Sequence, residues 1–147
     1  MSPGKEMHGR VVQVGIAEGE ALVTSQSISW CGGVDPMTGI ITEPGHPIHG
    51  ESVKGRVLVF LTGKGSSAFS HATHVTRVTG SNPAAIIVKE VNPQVALGVV
   101  VMHIPAITDL DQDPMEAIST GDWVRVDGVE GKVVVTKRVQ RQGGAPL

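Results

Sequence analysis

Tyrosine is absent from this sequence, and only two Phe, two Trp and one Cys occur among its 147 residues. So few aromatic rings leave no stacking platform for single-stranded nucleic acid. The core must come from aliphatic side chains, and Val dominates the apolar runs. An excess of one charge is missing too: 12 Lys and Arg stand against 14 Asp and Glu, a formal net charge of −2. No basic stripe emerges, which disfavours a nucleic-acid partner. Apolar runs such as Ala96 to Met102 fall far short of the roughly 20 residues a membrane-spanning helix needs. The opening MSPGKEMHGR lacks the apolar stretch of a secretory signal, so a cytoplasmic location is the expectation. Cys31 stands alone, which rules out an internal disulfide and any iron–sulfur cluster ligated by this chain's cysteines alone.

What is present points to one domain, expected over residues 1–138, with a flexible tail over 139–147. A domain of this size buries roughly 70% of its unfolded surface and needs no staples. Nineteen Gly and nine Pro imply many turns between short elements, as in a strand-rich α/β domain with two or three short helices. Strands are expected at Arg10 to Val14 and Glu20 to Thr24, flanking a turn at Ala17-Glu18-Gly19. The runs Arg56 to Leu61 and Ala84 to Lys89 read as buried strands. Pro105 to Ile107 adds a short one. Asp127-Gly128 and Gly131, between Trp123 to Val126 and Val133 to Thr136, predict a hairpin. Ala68 to Thr79 is free of Gly and Pro and stops at Gly80, which predicts a helix. Asn92-Pro93 and Asp113-Pro114 each read as a cap followed by Pro at the first helical position. The turn-rich stretch Cys31 to Gly50 is long for a connection, and such loops often carry function.

Three constellations are candidates for chemistry. In Gly63-Lys64-Gly65-Ser66-Ser67 a strand gives way to a helix through a glycine-rich turn. Gly63 and Gly65 permit positive φ and close backbone approach. Ser66 and Ser67 then fall at a helix N-terminus, where free N–H groups favour an anion or alkoxide. The P-loop spacing is absent, and simple helix capping by either serine is the bland alternative. His46 with His49, and His71 with His74, are pairs three apart. They match neither HExxH nor finger spacing, so solvated or hydrogen-bonded histidines are expected and no metal site. Asp109, Asp111 and Asp113 alternate as in a calcium loop, but its Gly and its terminal Glu are missing. Cys31 has no base beside it in sequence and reads as a buried structural thiol.

The segment Ile28-Ser29-Trp30-Cys31-Gly32-Gly33-Val34-Asp35-Pro36-Met37-Thr38-Gly39 resembles the signature of the aconitase X small subunit. The likeness continues through His46-Pro47-Ile48-His49-Gly50, Gly55-Arg56-Val57-Leu58-Val59 and Gly63-Lys64-Gly65-Ser66-Ser67. It resumes at Asn82-Pro83-Ala84-Ala85-Ile86-Ile87-Val88 and Ala96-Leu97-Gly98, and spans about residues 8 to 137. The resemblance implies a β/β/α swivelling domain similar to the mobile C-terminal domain of aconitase. It further implies a large partner subunit that carries an iron–sulfur cluster, the two together forming a hydro-lyase. Ser66 matches the serine base of aconitase's Gly-x-Gly-Ser-Ser turn. By the same likeness Lys64, Gly65 and Ser67 would contact substrate, as would Gly32, Gly33 and Asp35. Ser66 would remove the proton α to a carboxylate while the partner's cluster draws off the β-hydroxyl. The family activities are dehydration of cis-3-hydroxy-L-proline and of mevalonate 5-phosphate. The first is the expected substrate, because the GKGSS turn is the lone candidate for a phosphate and the base already occupies it. Aconitase has an arginine two residues after the serine; Ala68 stands there, which argues against tricarboxylates.

Two readings of other classes stand beside this one. Ser70-His71-Ala72 is similar to the phosphohistidine swivelling domain of phosphoenolpyruvate-using enzymes, with His71 as phosphoryl carrier. Thr73-His74 and the Gly-Gly-Val-Asp-Pro block depart from that pattern. A binding module without catalysis is the other alternative.

Overall fold

The computed structural model describes residues 5–137. Within them the chain forms β1 (Lys5–His8), β2 (Arg10–Gln13), β3 (Ile16–Val23), β4 (Ile28–Ser29) and the one-turn segment α1 (Trp30–Gly33). There follow β5 (Val57–Phe60), β6 (Gly63–Lys64), α2 (Phe69–Thr79), β7 (Ala85–Val88), α3 (Pro93–Met102) and β8 (Ala106–Thr108). Then come α4 (Pro114–Ala117), β9 (Trp123–Asp127) and β10 (Lys132–Thr136). Four helical segments therefore stand where two or three were expected, the addition being α1. Cys31 and Gly32 inside it have non-helical dihedrals, so α1 is better seen as a kinked turn. The tail expected over 139–147 lies outside the described residues.

Eight strands form one mixed sheet in the order β1-β10-β9-β3-β5-β7-β8-β2. β3, β5, β7 and β8 run parallel, as buried runs joined by helices should. β1, β10 and β9 extend the sheet antiparallel from β3. The two outermost strands, β1 and β2, are consecutive in the chain with Gly9 alone between them, so the sheet curls until its edges meet there. A Cβ at Gly9 would lie 2.5 Å from the Thr108 carbonyl oxygen, which is why glycine occupies the corner.

Period-two alternation on the parallel strands divides the core into two halves. Leu58, Phe60, Ile86 and Val88 face α2 and α3, packing with Phe69, Val95, Val99 and Met102. Val57, Val59, Ala85 and Ile87 face the other way, onto Met7, Val124, Val126, Val133 and Val135 of the antiparallel strands. The result is three layers: antiparallel strands, parallel strands, helices. This is the expected β/β/α swivelling-domain architecture. Truncating Phe60, which is fully buried, to Ala should cost about 3–5 kcal/mol.

α2 has only fair intrinsic propensity, because its β-branched residues lose rotamer freedom. Its threonine hydroxyls are satisfied by carbonyls, Thr73 donating to Ser70 (2.7 Å), Thr76 to Thr73 (2.6 Å) and Thr79 to Pro36 (2.6 Å), the last tying the helix end to the Asp35–Gly39 turn. Gly80, with φ 78°, ends the helix. α3 begins as predicted, with Asn92 Oδ1 accepting the Val95 N–H and Pro93 in the first turn.

The Ala17-Glu18-Gly19 turn is not formed; β3 runs unbroken from Ile16 to Val23. Gly19 serves close approach instead, since a Cβ there would meet the Gly55 carbonyl oxygen at 2.8 Å. The chain reverses at Gly15, φ 138°. No helix among the described residues is long and apolar enough to cross a membrane.

Candidate functional site

The GKGSS turn follows shortly after the carboxyl end of β5, in the region where open parallel sheets generally place ligands. Its position is set by two attachments. β6 pairs in parallel with β4, placing Ile28 opposite Gly63 and Ser29 opposite Lys64. α3 grips the turn from the other side: Asn92 Nδ2 donates to the Gly63 carbonyl (2.9 Å). Gln94 Nε2 donates to the carbonyls of Gly65 (3.1 Å) and Ser66 (3.0 Å). Trp30, buried directly after β4, packs on Phe69 with ring centroids 5.9 Å apart, and the Phe69 ring in turn lies against Gly63 of the turn.

This pairing brings the Gly-Gly turn to the GKGSS turn. Ser29, Cys31, Gly32, Gly33, Glu43, Pro44, Lys64 and Gly65 line one open cavity of about 370 Å³. Of the residues expected to meet substrate, Gly32, Gly33, Lys64 and Gly65 therefore converge. Gly65 has φ 102° and lies against the Ser29 hydroxyl, so a Cβ would approach Ser29 Oγ at 2.8 Å. Gly63 differs from expectation: its φ is not positive, and it is glycine because Val95 and Phe69 pack where a Cβ would sit.

Ser66 and Ser67 are exposed beside this cavity rather than in its lining. Neither caps a helix: α2 starts at Phe69 with Ala68 at the cap position. Ser66 precedes the helix by a turn, and its Oγ accepts the Ala68 N–H at 3.1 Å while its carbonyl accepts the Phe69 N–H. A hydroxyl oxygen that already accepts a backbone N–H at the mouth of a helix is placed where negative charge would be favoured.

Asp35 does not reach the cavity. Its Oδ1 accepts the Met37 N–H at 2.8 Å and its backbone closes onto Gly39 and Ile40, so it shapes a turn. Cys31 is exposed at the cavity wall rather than buried as a structural thiol. His46 is buried and hydrogen-bonded, with Nε2 donating to the Ser27 carbonyl (3.0 Å) and Nδ1 accepting the Ile48 N–H (3.3 Å). His49, His71 and His74 are exposed. Among the described residues no three His, Cys, Asp or Glu side chains gather to hold a metal ion.

The residue that sequence reasoning missed is Glu43. Its Oε2 accepts from Lys64 Nζ at 2.8 Å, and its Oε1 is buried without a partner. Nothing local marks it, because its partner lies 21 positions away.

Comparison with known proteins identifies the family of the chain. Residues 6–135 match the aconitase X swivel domain. The phosphomevalonate dehydratase small subunit of Methanosarcina acetivorans is 42% identical over 132 residues, covering 90% of this chain and 92% of that one. Its namesake from Pyrococcus furiosus is 41% identical over 130 residues, 88% of this chain and 95% of that one. The crystal structure of Thermococcus kodakaraensis aconitase X in its holo-form superposes with a TM-score of 0.86 at 38% identity, covering 91% of this chain and all of that chain. The chain therefore belongs to the aconitase X swivel domain family.

Proposed function

We propose that this chain is the small subunit of a heteromeric dehydratase that removes water from mevalonate 5-phosphate. The observation that carries the reading is likeness over nearly the whole of both chains to small subunits of phosphomevalonate dehydratase. Those names favour mevalonate 5-phosphate over cis-3-hydroxy-L-proline. A phosphate is compatible with this site in that base and cation are separate: Ser66 stands beside the cavity and Lys64 in its wall.

Ser66 is the base in this reading. The carbon–hydrogen bond next to the substrate carboxylate breaks, and its proton passes to the Ser66 alkoxide. The electron pair left behind forms a carbon–carbon double bond as the β-hydroxyl departs with its bonding electrons. A proton from solvent completes the water, and Ser66 returns its own proton to solvent to restore the alkoxide. A serine hydroxyl is a weak base at neutral pH. Donation from the Ala68 N–H to Oγ, together with the start of α2, favours the charged form. Lys64 supplies positive charge for an anionic group of the substrate, and Gly32, Gly33 and Gly65 leave room for it.

An iron–sulfur cluster requires several ligands, usually thiolates. This chain carries Cys31 alone, so its own residues do not fit the group, which the proposal leaves to the large subunit. Mixing the chain with a candidate large subunit and following water loss from mevalonate 5-phosphate tests the reading. Turnover should require both chains and fall steeply with Ser66→Ala. Turnover on cis-3-hydroxy-L-proline instead would replace the substrate.

A further inference from the structure

We propose that Glu43 is a positioning residue that fixes the Lys64 ammonium in the cavity wall, where that ammonium takes the phosphoryl group of the substrate. This rests on the phosphomonoester reading above.

Lys64 and Glu43 are the charged side chains in the cavity's lining among the described residues, and Lys64 is the cation. A phosphate monoester entering there has one ammonium to meet. Lysine carries that charge on a flexible four-carbon stem, so a fixed location has to be imposed. Glu43 imposes it, with its Oε2 2.8 Å from Nζ.

Glu43 is itself anchored to the Gly-Gly turn. The preceding residue, Thr42, donates its N–H to the Gly33 carbonyl (3.0 Å) and its hydroxyl to the Gly32 carbonyl (3.3 Å). The carboxylate also lies against Gly33, with Oε1 3.5 Å from the position a Cβ would take there. That oxygen is buried against the turn and accepts no hydrogen bond from the described residues. One of the three ammonium protons of Lys64 is used by Glu43, which leaves two to meet phosphate oxygens. Three segments distant in sequence (Gly32-Gly33, Glu43 and Lys64) thus form one anion-receiving unit.

Glu43→Gln, Glu43→Asp and Lys64→Ala should be compared in the assembled two-subunit enzyme. The Gln variant should raise the KM for mevalonate 5-phosphate about tenfold with kcat within about threefold, the pattern of lost uniform binding. The Asp variant should recover part of that loss, and Lys64→Ala should equal or exceed it. A KM lowered in Glu43→Gln would make Glu43 a mask on Lys64 and overturn the proposal. An unchanged KM would overturn it as well. A second measurement keeps this separate from the substrate assignment. Inorganic phosphate titrated into the free chain should shift the amide resonances of Gly33, Lys64 and Gly65, with affinity reduced several-fold in Glu43→Gln. Equal phosphate affinity in wild type and variant overturns the positioning role whichever acid the enzyme consumes. Failure of the wild-type complex on mevalonate 5-phosphate, with the phosphate result intact, overturns the substrate alone.

Discussion

Two cavities of similar size lie near the carboxyl ends of the parallel strands, and they differ in what their polar groups are doing. The first, about 350 Å³, is lined by Val88, Lys89 and the run from Asp109 to Pro114. Every acid there is engaged in the fold. Asp109 pairs with Arg10 Nε (2.9 Å), and Asp111 accepts the His8 N–H (3.2 Å). Asp113 accepts the Met115 N–H (3.0 Å) and pairs with Lys89 (3.2 Å). The second cavity, between the Gly-Gly and GKGSS turns, is lined by three glycines together with Ser29, Cys31, Pro44 and the Lys64–Glu43 ion pair, whose second carboxylate oxygen has no partner among the described residues. The richer cluster of carboxylates closes the sheet and starts a helix. The poorer one is, in the proposed reading, the place of the ligand. Uncommitted polar groups, rather than their number, separate a site from a structural joint.

Substitutions at the two cavities should therefore part company, stability moving in one and turnover in the other. The largest effect is expected at Ser66. Ser66→Ala should lower kcat of the assembled enzyme by about 10³-fold or more, on the scale of losing an essential base and its stabilised charge. Because the side chain is exposed and loses one hydrogen bond, from the Ala68 N–H, the melting temperature should fall by roughly a few degrees at most. Lys64→Ala comes next, with a KM raised about tenfold or more and a smaller change in kcat. Gly65→Ala should do both: positive φ disfavours a Cβ by about 1–2 kcal/mol, and the turn that carries Ser66 should shift. Circular-dichroism melts and steady-state kinetics on the same preparations separate these terms.

The smallest effect belongs to the acidic cavity and concerns pH. The Asp113 carboxyl is held below the ordinary carboxylate range, chiefly by the Met115 N–H and then by Lys89. Asp127 is held low in the same sense by the Glu130 and Val129 N–H groups of the hairpin. A carboxylate whose folded value is depressed stabilises the protein above its unfolded value, and that stability disappears as pH falls through the folded one. Asp113→Asn should thus lower the melting temperature slightly at pH 7. The gap to wild type should shrink as pH drops below about 4, while turnover at pH 7 stays at the wild-type level. A gap that persists at low pH would show that capping geometry, rather than charge, is what Asp113 provides.

Much of this fold was legible because its elements announce themselves locally. The buried runs Val57–Phe60 and Ala85–Val88, the Asn92-Pro93 and Asp113-Pro114 caps, and the hairpin at Asp127 all appear where pattern and turn chemistry place them. Gly19 defeats sequence reading because a glycine needed for close approach looks, in sequence, like a glycine needed for a turn. β4 and β6 escaped notice because two residues carry no periodicity; only their pairing gives them meaning. The same holds for the site. Lys64, Gly65, Gly32 and Gly33, named from motif and family likeness, line one cavity. Glu43 could not be named so, since its part depends on a contact between distant loops. Asp35 was named on likeness, and its carboxylate is occupied by its own turn.

The central claim is that this chain supplies the base to a two-subunit enzyme acting on a phosphorylated hydroxy acid. The most direct test is reconstitution with a cluster-loaded large subunit, measuring water loss from mevalonate 5-phosphate with wild-type chain, Ser66→Ala and no small chain. Turnover with wild type alone, and a fall of about 10³-fold or more with the variant, is the predicted result. Equal turnover with Ser66→Ala, or full turnover by the large subunit unaided, would contradict it.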